Sequence, residues 1–415
     1  MSQTRLSLAD YRTALTTPGM AWPVVASVFA RLPIAMVGLS ALLYVQRETG
    51  SFATAGLVSA GSLVGVALGA VVQGRLIDRF GPTRPLLAIS VLFAIAIAAL
   101  AVAIEAHAST PLLVLLGVGI GVTEPMIGSA SRALWGRVAS AGSVRHAAWS
   151  YEAISMETFF ILGPALAGLL VAAPWPGTGM AAGGACMVAG AVAFALSPVV
   201  RAWGPAETGP RRWLGALVSP GMRTLALAVL GFGAVIGFVE VAVPAATTLA
   251  GRPALGGVLL SVWSVSSVAF GVAYSLRPWP RRIPARLPVL LAAFGALVAL
   301  SAAPSTLWGL TLALLAAGAL ITPQSAMHST AIEIVAPAGT EAEAFGWVLT
   351  AVTLGLAFGQ STSGYLVEHY GPPAAFLAAA GVGLAIALGV WLLRGTVRPV
   401  SEESLRTPAA SPTAL

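Results

Sequence analysis

The sequence predicts an all-α polytopic membrane protein with twelve transmembrane helices arranged in two six-helix halves. Three observations predict this fold: 57% of the 415 residues are hydrophobic and only 9% are charged, long apolar runs recur along the chain, and the two halves resemble each other. A soluble domain has about a quarter of its residues charged. A run of about 20 apolar residues crosses the hydrocarbon core as a helix, because lipid cannot satisfy backbone polar groups.

Twelve apolar runs are long enough to span a membrane. They cover residues 22–46, 53–73, 85–104, 111–131, 149–172, 178–198, 223–246, 254–276, 287–303, 305–326, 344–367 and 373–393. The longest link between them is rich in proline and glycine and separates the sixth run from the seventh. We therefore predict an N-terminal half at 1–198, a cytoplasmic linker at 199–222, a C-terminal half at 223–395 and a disordered tail at 396–415.

The basic residues predict the orientation. The chain contains no lysine, and every arginine except Arg31, Arg47 and Arg252 lies in, or at the edge of, the termini and links that share one side of the membrane. Cytoplasmic loops carry the excess of basic residues, so we expect both termini in the cytoplasm and the protein in the plasma (inner) membrane. The formal charge of +7 then reflects topology, and we expect no nucleic-acid partner.

An internal repeat relates the two halves. A shift of 196 residues places Gly163 on Gly359 and Gly168 on Gly364, and this offset is half of a twelve-span chain. Repeated halves are characteristic of secondary transporters, in which the substrate site lies between the repeats near the middle of the membrane.

The link between the second and third runs carries a specific motif, because residues 74–84 read GRLIDRFGPTR. The motif resembles the signature loop of the major facilitator superfamily, Gly-x-Leu-x-Asp-Arg-x-Gly-x-x-Arg/Lys, and the resemblance covers residues 20–395. It implies a monomeric bacterial transporter. It also implies that a loop formed by Gly74, Asp78, Arg79, Gly81 and Arg84 is a conformational latch, which holds the halves together in the outward-facing state. Gly74 is expected to permit close helix contact and Gly81 a sharp turn.

The fifth run contains a second motif, Gly163, Pro164 and Gly168, which predicts a helix kink. This motif resembles the antiporter motif of drug/proton exchangers, although an earlier glycine of that motif is Phe159 in this chain. The arginine that the exchangers carry in the fourth span is also absent. The nearest resemblance is nonetheless to the drug/proton antiporter type, which implies efflux with protons as the coupling ion.

Five polar residues lie inside apolar runs, namely Arg31, Glu124, Glu157, Glu240 and Gln360. A charge at the centre of a span costs about 2.5–3.5 kcal/mol on insertion scales, so a place in the substrate or proton pathway is the default hypothesis. Each shares its helical stripe with small or polar residues, which favours contact with other helices or a cavity. We expect Arg31 to pair with Glu124 or Glu157 in one conformational state; a fixed structural ion pair is the alternative.

Two further expectations concern packing. Glu152 falls close to the interface, where its side chain can reach water, and we assign it no role. Small residues recur at every fourth position at 61–69 and 351–359. We expect the second and eleventh spans, which carry these residues, to face each other across the boundary between the halves, with close-packed faces suited to rocking.

The main functional hypothesis is a proton-coupled exporter of a small molecule that works by alternating access in the lipid bilayer. The alternative is an importer or facilitator of a nutrient or organic anion, which Arg31 favours. An intramembrane enzyme or a receptor is a third reading, but the sequence has no His-Glu-x-x-His motif and no Walker-type loop. We therefore predict no enzymatic activity, no cofactor and no metal site. A lone cysteine, Cys186, is assigned to helix packing.

Overall fold

The computed structural model describes residues 8–140, 142–204, 215–275, 283–337 and 340–398. Within these ranges all regular structure is helical, and twelve helical segments are long and apolar enough to cross a membrane. The predicted fold class is therefore confirmed. We number these segments spans 1 to 12. They are Ala21–Thr49, Phe52–Phe80, Thr83–Glu105, Thr110–Val138, Ser143–Leu170, Thr178–Leu196, Pro220–Leu249, Ala254–Gly271, Ile283–Ala302, Leu307–Val335, Glu343–Tyr370 and Pro372–Thr396.

Every predicted apolar run corresponds to one span, but several helices continue beyond the apolar residues. Span 2 was expected to end at residue 73 and continues to Phe80, and span 10 was expected to end at residue 326 and continues to Val335. Hydropathy indicates which residues lie in the hydrocarbon core, whereas the end of the helix is determined by its capping residues, which can lie beyond that core. A short helix, Leu8–Leu15, precedes span 1. Residues 205–214 of the predicted linker and most of the predicted tail lie outside the described residues.

The two halves meet at one end of the bundle along spans 2 and 11. We call the end at which span 1 begins and span 12 finishes the termini end, and the opposite end the far end. Span 2 begins at the far end and span 11 finishes there. A Cβ atom at Gly364 of span 11 would overlap the carbonyl oxygen of Phe52, and one at Gly56 of span 2 would lie 2.5 Å from the carbonyl oxygen of Gln360. The helix backbones are therefore in direct contact at this end.

Spans 5 and 8 form the second boundary, also at the far end. A Cβ atom at Gly168 would lie 2.5 Å from the carbonyl oxygen of Ala254, and one at Gly257 would overlap the carbonyl oxygen of Pro164. At the termini end, by contrast, no atom lies within 4 Å of a Cβ position at Gly74 of span 2. The glycine-mediated contacts between the halves are therefore far-end contacts.

Spans 2 and 11 face each other across the boundary, as expected, but their two rows of small residues do not line that boundary. Gly65 of span 2 packs on Gly121 of span 4, and Gly355 of span 11 packs on the backbone of span 7 beside Ala234. Both rows therefore join spans of the same half. The four-residue spacing identifies a face suited to close packing, but it does not identify the helix that covers that face.

Three spans are interrupted near their middle. Span 1 consists of helices Ala21–Arg31 and Pro33–Thr49, span 4 is broken between Thr123 and Ile127, and span 10 is broken between Gly318 and Ile321. Proline explains the first two breaks, because Pro33 and Pro125 lack the N–H group that a continuous helix requires. Broken spans frame the substrate sites of many transporters, since their free backbone groups can face a ligand.

Candidate functional site

Arg31 is the last residue of the first helix of span 1, immediately before the break, and only 1% of it is exposed. Its Nη1 donates to Oε2 of Glu152 in a salt bridge, and its Nη2 donates to Oγ of Ser155 at 3.0 Å. The guanidinium also lies 5.4 Å from the ring centroid of Phe159. All three partners belong to span 5, so Arg31 joins the broken span 1 to span 5.

Glu152 is completely buried, and the expectation that it reaches the interface was wrong. Its Oε1 accepts hydrogen bonds from Oγ of Ser131 at 2.7 Å and from Nε1 of Trp135 at 2.9 Å. These donors lie in the second half of span 4. The ion pair and its hydrogen bonds therefore connect spans 1, 4 and 5.

The proposed pairing of Arg31 with Glu124 or Glu157 is not present in this conformation, because Glu152 occupies the guanidinium. Sequence position alone is misleading, because Glu152 is only three residues from residue 149, where the fifth apolar run begins, and this position predicts a side chain close to water. The helix extends beyond the apolar run, and the side chain turns toward the centre of the half. The signal that could have identified it is spacing: Glu152 and Ser155 lie on one helical face with Phe159.

Glu124 lies at the break of span 4, where a helix ends and the backbone becomes extended. The side chain of Gln73 in span 2 bridges this break. Its Nε2 donates to the carbonyl oxygens of Val122 at 3.0 Å and Glu124 at 2.8 Å, and its Oε1 accepts from the N–H of Met126 at 3.1 Å. Backbone groups that the break leaves unpaired are thus satisfied by one buried amide. Gln73 was not anticipated from the sequence.

The carboxylates of Glu124 and Glu157 are half-buried, and neither has a hydrogen-bond or salt-bridge partner among the residues that the structure describes. Glu157 lies two turns before Pro164 on the face of span 5 that carries Gly168. That face meets span 8 at the far end. An ionised carboxylate is costly in a membrane unless it is paired or hydrated, so both groups are suited to bind and release a proton.

Glu240 and Gln360 are brought together by spans 7 and 11. Nε2 of Gln360 donates to Oε2 of Glu240 at 2.7 Å, while Oε1 of the same amide is buried without a partner in the described part of the chain. The backbone of Gln360 also contacts Gly56 at the boundary with span 2. This pair therefore lies directly beside the far-end contact between the halves.

The signature loop forms the turn between spans 2 and 3. Gly81 ends span 2 with φ 73°, and a Cβ atom there would lie 2.8 Å from the carbonyl oxygen of Trp203, so both conformation and space require glycine. Asp78 is half-buried, and Arg79 and Arg84 are exposed, with the Arg79 guanidinium 5.1 Å from the ring centroid of Phe80. The other glycine of the motif, at position 74, contacts no neighbouring helix in this conformation.

The Gly-Pro motif of span 5 contacts two helices at once. A Cβ atom at Gly163 would lie 3.0 Å from Cβ of Ala35 in span 1, just after the Pro33 break, whereas Gly168 packs on span 8. Pro164 lies inside an uninterrupted helix. The motif therefore sits where span 5 links its own half to the other half.

Polar side chains that sequence reasoning missed lie in the C-terminal half. Trp263, Gln324 and His328 are at most 4% exposed, and Nε1 of Trp263, both amide atoms of Gln324 and Nε2 of His328 have no partner among the described residues. Phe232 lies edge-on to His328, with 5.4 Å between the ring centroids. Buried polar atoms are usually hydrogen-bonded, so these positions can take a water molecule or a polar ligand. The signal in the sequence was the polar pair at i and i+4 of span 10.

Comparison with known proteins identifies one family. A family model described as Major Facilitator Superfamily matches residues 24–340. No curated protein sequence matches the chain.

Three solved structures illustrate the similarity. The nucleoside transporter NupG is 14% identical, with 90% of this chain and 98% of that one covered and a TM-score of 0.69. An auto-inhibited POT family peptide transporter is 13% identical, with 94% and 99% covered and a TM-score of 0.67. The human organic anion transporter MFSD10 (TETRAN) is 17% identical, with 90% and 99% covered and a TM-score of 0.59. At these identities the similarity establishes the fold alone.

Proposed function

The chain belongs to the Major Facilitator Superfamily, and on that basis we propose that it is a proton-coupled exporter of a small molecule that works by alternating access. In this proposal the protein is a bacterial drug/proton antiporter that acts as a monomer in the plasma membrane. Substrate binds between the halves near the middle of the membrane. The halves then rock so that the site opens to one side at a time.

The orientation in this proposal follows from the arginines. The links at the termini end hold most of them, and cytoplasmic loops are the basic ones. The termini end is then cytoplasmic and the far end faces outward. Because the halves are in backbone contact at the far end, this conformation corresponds to the inward-facing state.

The observation that carries the proposal is the unequal pairing of the charges inside the spans. Arg31 is held by Glu152, whereas Glu124 and Glu157 have no partner in the described part of the chain. A carboxylate without a cationic partner can take up and release a proton without breaking an ion pair. Glu157 adds a positional argument, because it shares a helical face with the motif that contacts the opposite half.

The alternative, an importer or facilitator of an organic anion, depended on Arg31 as a free cationic site. Its guanidinium is buried and neutralised by Glu152 in this conformation. Export is supported further by the partial Gly-Pro motif of span 5, through its resemblance to drug/proton exchangers. The nucleoside, peptide and organic anion transporters named above differ in substrate, so substrate identity is left to experiment.

The test is transport by the purified protein in proteoliposomes with an imposed pH gradient. A panel of cationic dyes, antibiotics, sugars, nucleosides and organic acids is screened for movement that collapses when a protonophore is added. We expect Glu157→Gln or Glu124→Gln to abolish the response to the gradient. Glu333→Gln is the matched control, because Glu333 is exposed near the end of span 10 and lies outside the proposed pathway.

Three results would contradict the proposal. Equilibration of a cargo that ignores the pH gradient, in the wild type and in both variants, would indicate a facilitator. Movement of an organic anion in the import direction, driven by the imposed pH gradient, would indicate the alternative function, an importer. A loss in Glu333→Gln equal to that in Glu157→Gln would show that the effect is not specific to the pathway.

A further inference from the structure

A segment at the far end repeats the signature loop. Residues 74–82 read GRLIDRFGP, and residues 364–372 read GYLVEHYGP. Glycine, leucine, glycine and proline recur at the same positions, an acid occupies the fifth position in both, and an aromatic residue occupies the seventh. The first segment finishes span 2 at the termini end, and the second finishes span 11 at the far end.

The two segments also share a backbone conformation. Span 2 ends at Gly81 with φ 73° and ψ 167°, and span 11 ends at Gly371 with φ 82° and ψ 167°. Residues with a side chain rarely adopt these angles, so glycine is required at both turns. The next span begins within two residues in each case. The similarity between the segments therefore extends from the sequence to the shape of the turn.

The acid of the second segment, Glu368, crosses the boundary between the halves. Its Oε2 accepts hydrogen bonds from Oγ of Ser51 at 2.6 Å and from the N–H of Ala53 at 2.8 Å. Ser51 is the N-cap of span 2, and its Oγ accepts from the N–H of Thr54 at 3.0 Å. Glu368 therefore satisfies a free N–H group at the positive end of the span 2 dipole, from a helix of the other half.

We propose that residues 364–372 form a far-end latch, the counterpart of the signature loop, and that the two latches close in alternation. The proposal rests on the alternating-access part of the proposed function. In this conformation the far-end latch is closed: Glu368 caps span 2, and Gly364 lies against the backbone of Phe52. At Gly74 of the signature loop, meanwhile, no neighbouring helix lies within 4 Å of a Cβ position, so the close helix contact expected of this glycine in the closed state is not made. Closing the termini end would engage the signature loop and separate Glu368 from span 2.

The expected strength of the far-end latch follows from its exposure. Glu368 is exposed to solvent, and a charge at an exposed helix N-terminus has a modest, salt-screened effect, which corresponds to about a two- to fivefold change in a population ratio. Such a latch biases the two conformations without trapping either one. A transporter needs that property, because both conformations must be reached in each cycle.

The test measures the conformational equilibrium directly, without a substrate. The full chain carries Cys186→Ala, and spin labels are attached at Ser109→Cys and Ser305→Cys, which are exposed positions at the far end of the two halves. Pulsed electron–electron double resonance spectroscopy in lipid nanodiscs then gives the distribution of distances between the two labels across the far end. We expect Glu368→Gln to increase the population with the longer distance by about two- to fivefold.

Two further variants sharpen the result. Asp78→Asn should shift the same distribution in the opposite direction, and the double variant with Glu368→Gln should return close to the wild-type ratio. The matched control is Glu105→Gln, since this carboxylate is also at the far end but accepts hydrogen bonds from Tyr44 and Trp175 of its own half. The control should leave the ratio unchanged.

The outcomes separate the latch from the proposed function. Two populations whose ratio is the same in the wild type and in Glu368→Gln would overturn the latch while leaving alternating access intact. One population in every variant, together with an absence of transport, would overturn alternating access and the latch with it. A shift of equal size in Glu105→Gln would also overturn the latch, because the effect would then reflect general surface charge.

Discussion

Replacing either member of the Arg31–Glu152 pair alone should destabilise the protein strongly, whereas replacing both should not. The two side chains are 1% and 0% exposed, so a single substitution leaves the other charge buried without compensation. Removing one partner of a buried ion pair costs about 3–5 kcal/mol in free energy of unfolding, while replacement of both partners by neutral groups of similar size is often nearly neutral.

The substitutions Arg31→Met and Glu152→Gln make this comparison cleanly. The amide in Glu152→Gln keeps an acceptor for Ser131 and Trp135, so the hydrogen bonds from these donors, about 1 kcal/mol each, are retained and the charge alone is removed. We expect each single variant to lose about 3–5 kcal/mol in free energy of unfolding. The double variant should lose much less than either single variant, because neither charge is then left buried without compensation.

The assay is reversible unfolding in mixed micelles by titration with a denaturing detergent, monitored by tryptophan fluorescence and circular dichroism. Arg252→Met serves as a control, because Arg252 is an exposed far-end residue and its loss should change stability by less than about 0.5 kcal/mol. Additive losses in the double variant would refute the reasoning, since they would show no coupling between the two charges. Transport supplies a second readout: a double variant that folds but does not transport would indicate that the pair opens during the cycle.

Three further predictions concern the packing of the spans. Gly121→Ala should lower the apparent melting temperature markedly, because the added Cβ would overlap span 2 and such overpacking costs about 1–3 kcal/mol or more. The control Gly119→Ala should be neutral, because no atom lies within 4 Å of its Cβ position. Equal effects of the two substitutions would contradict this account. Gln73→Leu should lower stability in the same melting assay by about 1 kcal/mol for each of the hydrogen bonds that the amide makes. A melting temperature equal to that of the wild type would show that water replaces the amide. Gly257→Ala should lengthen the spin-label distance across the far end, because its Cβ would overlap the carbonyl oxygen of Pro164; an unchanged distance would mean that the boundary between spans 5 and 8 adapts.

The sequence predicted the fold because hydropathy counts the spans directly and because the signature loop is specific. It also indicated that Arg31 contacts other helices or a cavity and not lipid, since its helical stripe is small and polar. It could not predict the partner of Arg31: distance along the chain placed Glu152 near water, whereas the three-dimensional packing of spans 1, 4 and 5 buries it completely. The pairing of Glu240 with Gln360 likewise depends on which helices are neighbours.

The glycine rows show the same limit. Periodicity indicates which residues share a helical face, but which helix packs against that face depends on the packing of all the spans. Gly65 and Gly355 therefore pack inside their own halves, while Gly56 and Gly364 form the boundary. The repeat of residues 74–82 at 364–372 was visible in the sequence. A shift of half the chain does not reveal this repeat, because the two segments begin at residues 74 and 364.

The backbone contacts inside each half make that half resistant to bending, so that it rotates as a rigid body. Span 2 has 29 residues and is about 43 Å long at 1.5 Å per residue. If the halves pivot about their far-end contact, each degree of rotation displaces the opposite end by about 0.75 Å over that length. A rotation of about 10° would then widen the other end by about 7 Å, roughly the width of a small organic molecule. Because Gly121 ties span 4 to span 2 without intervening side chains, little of that rotation would be lost to bending.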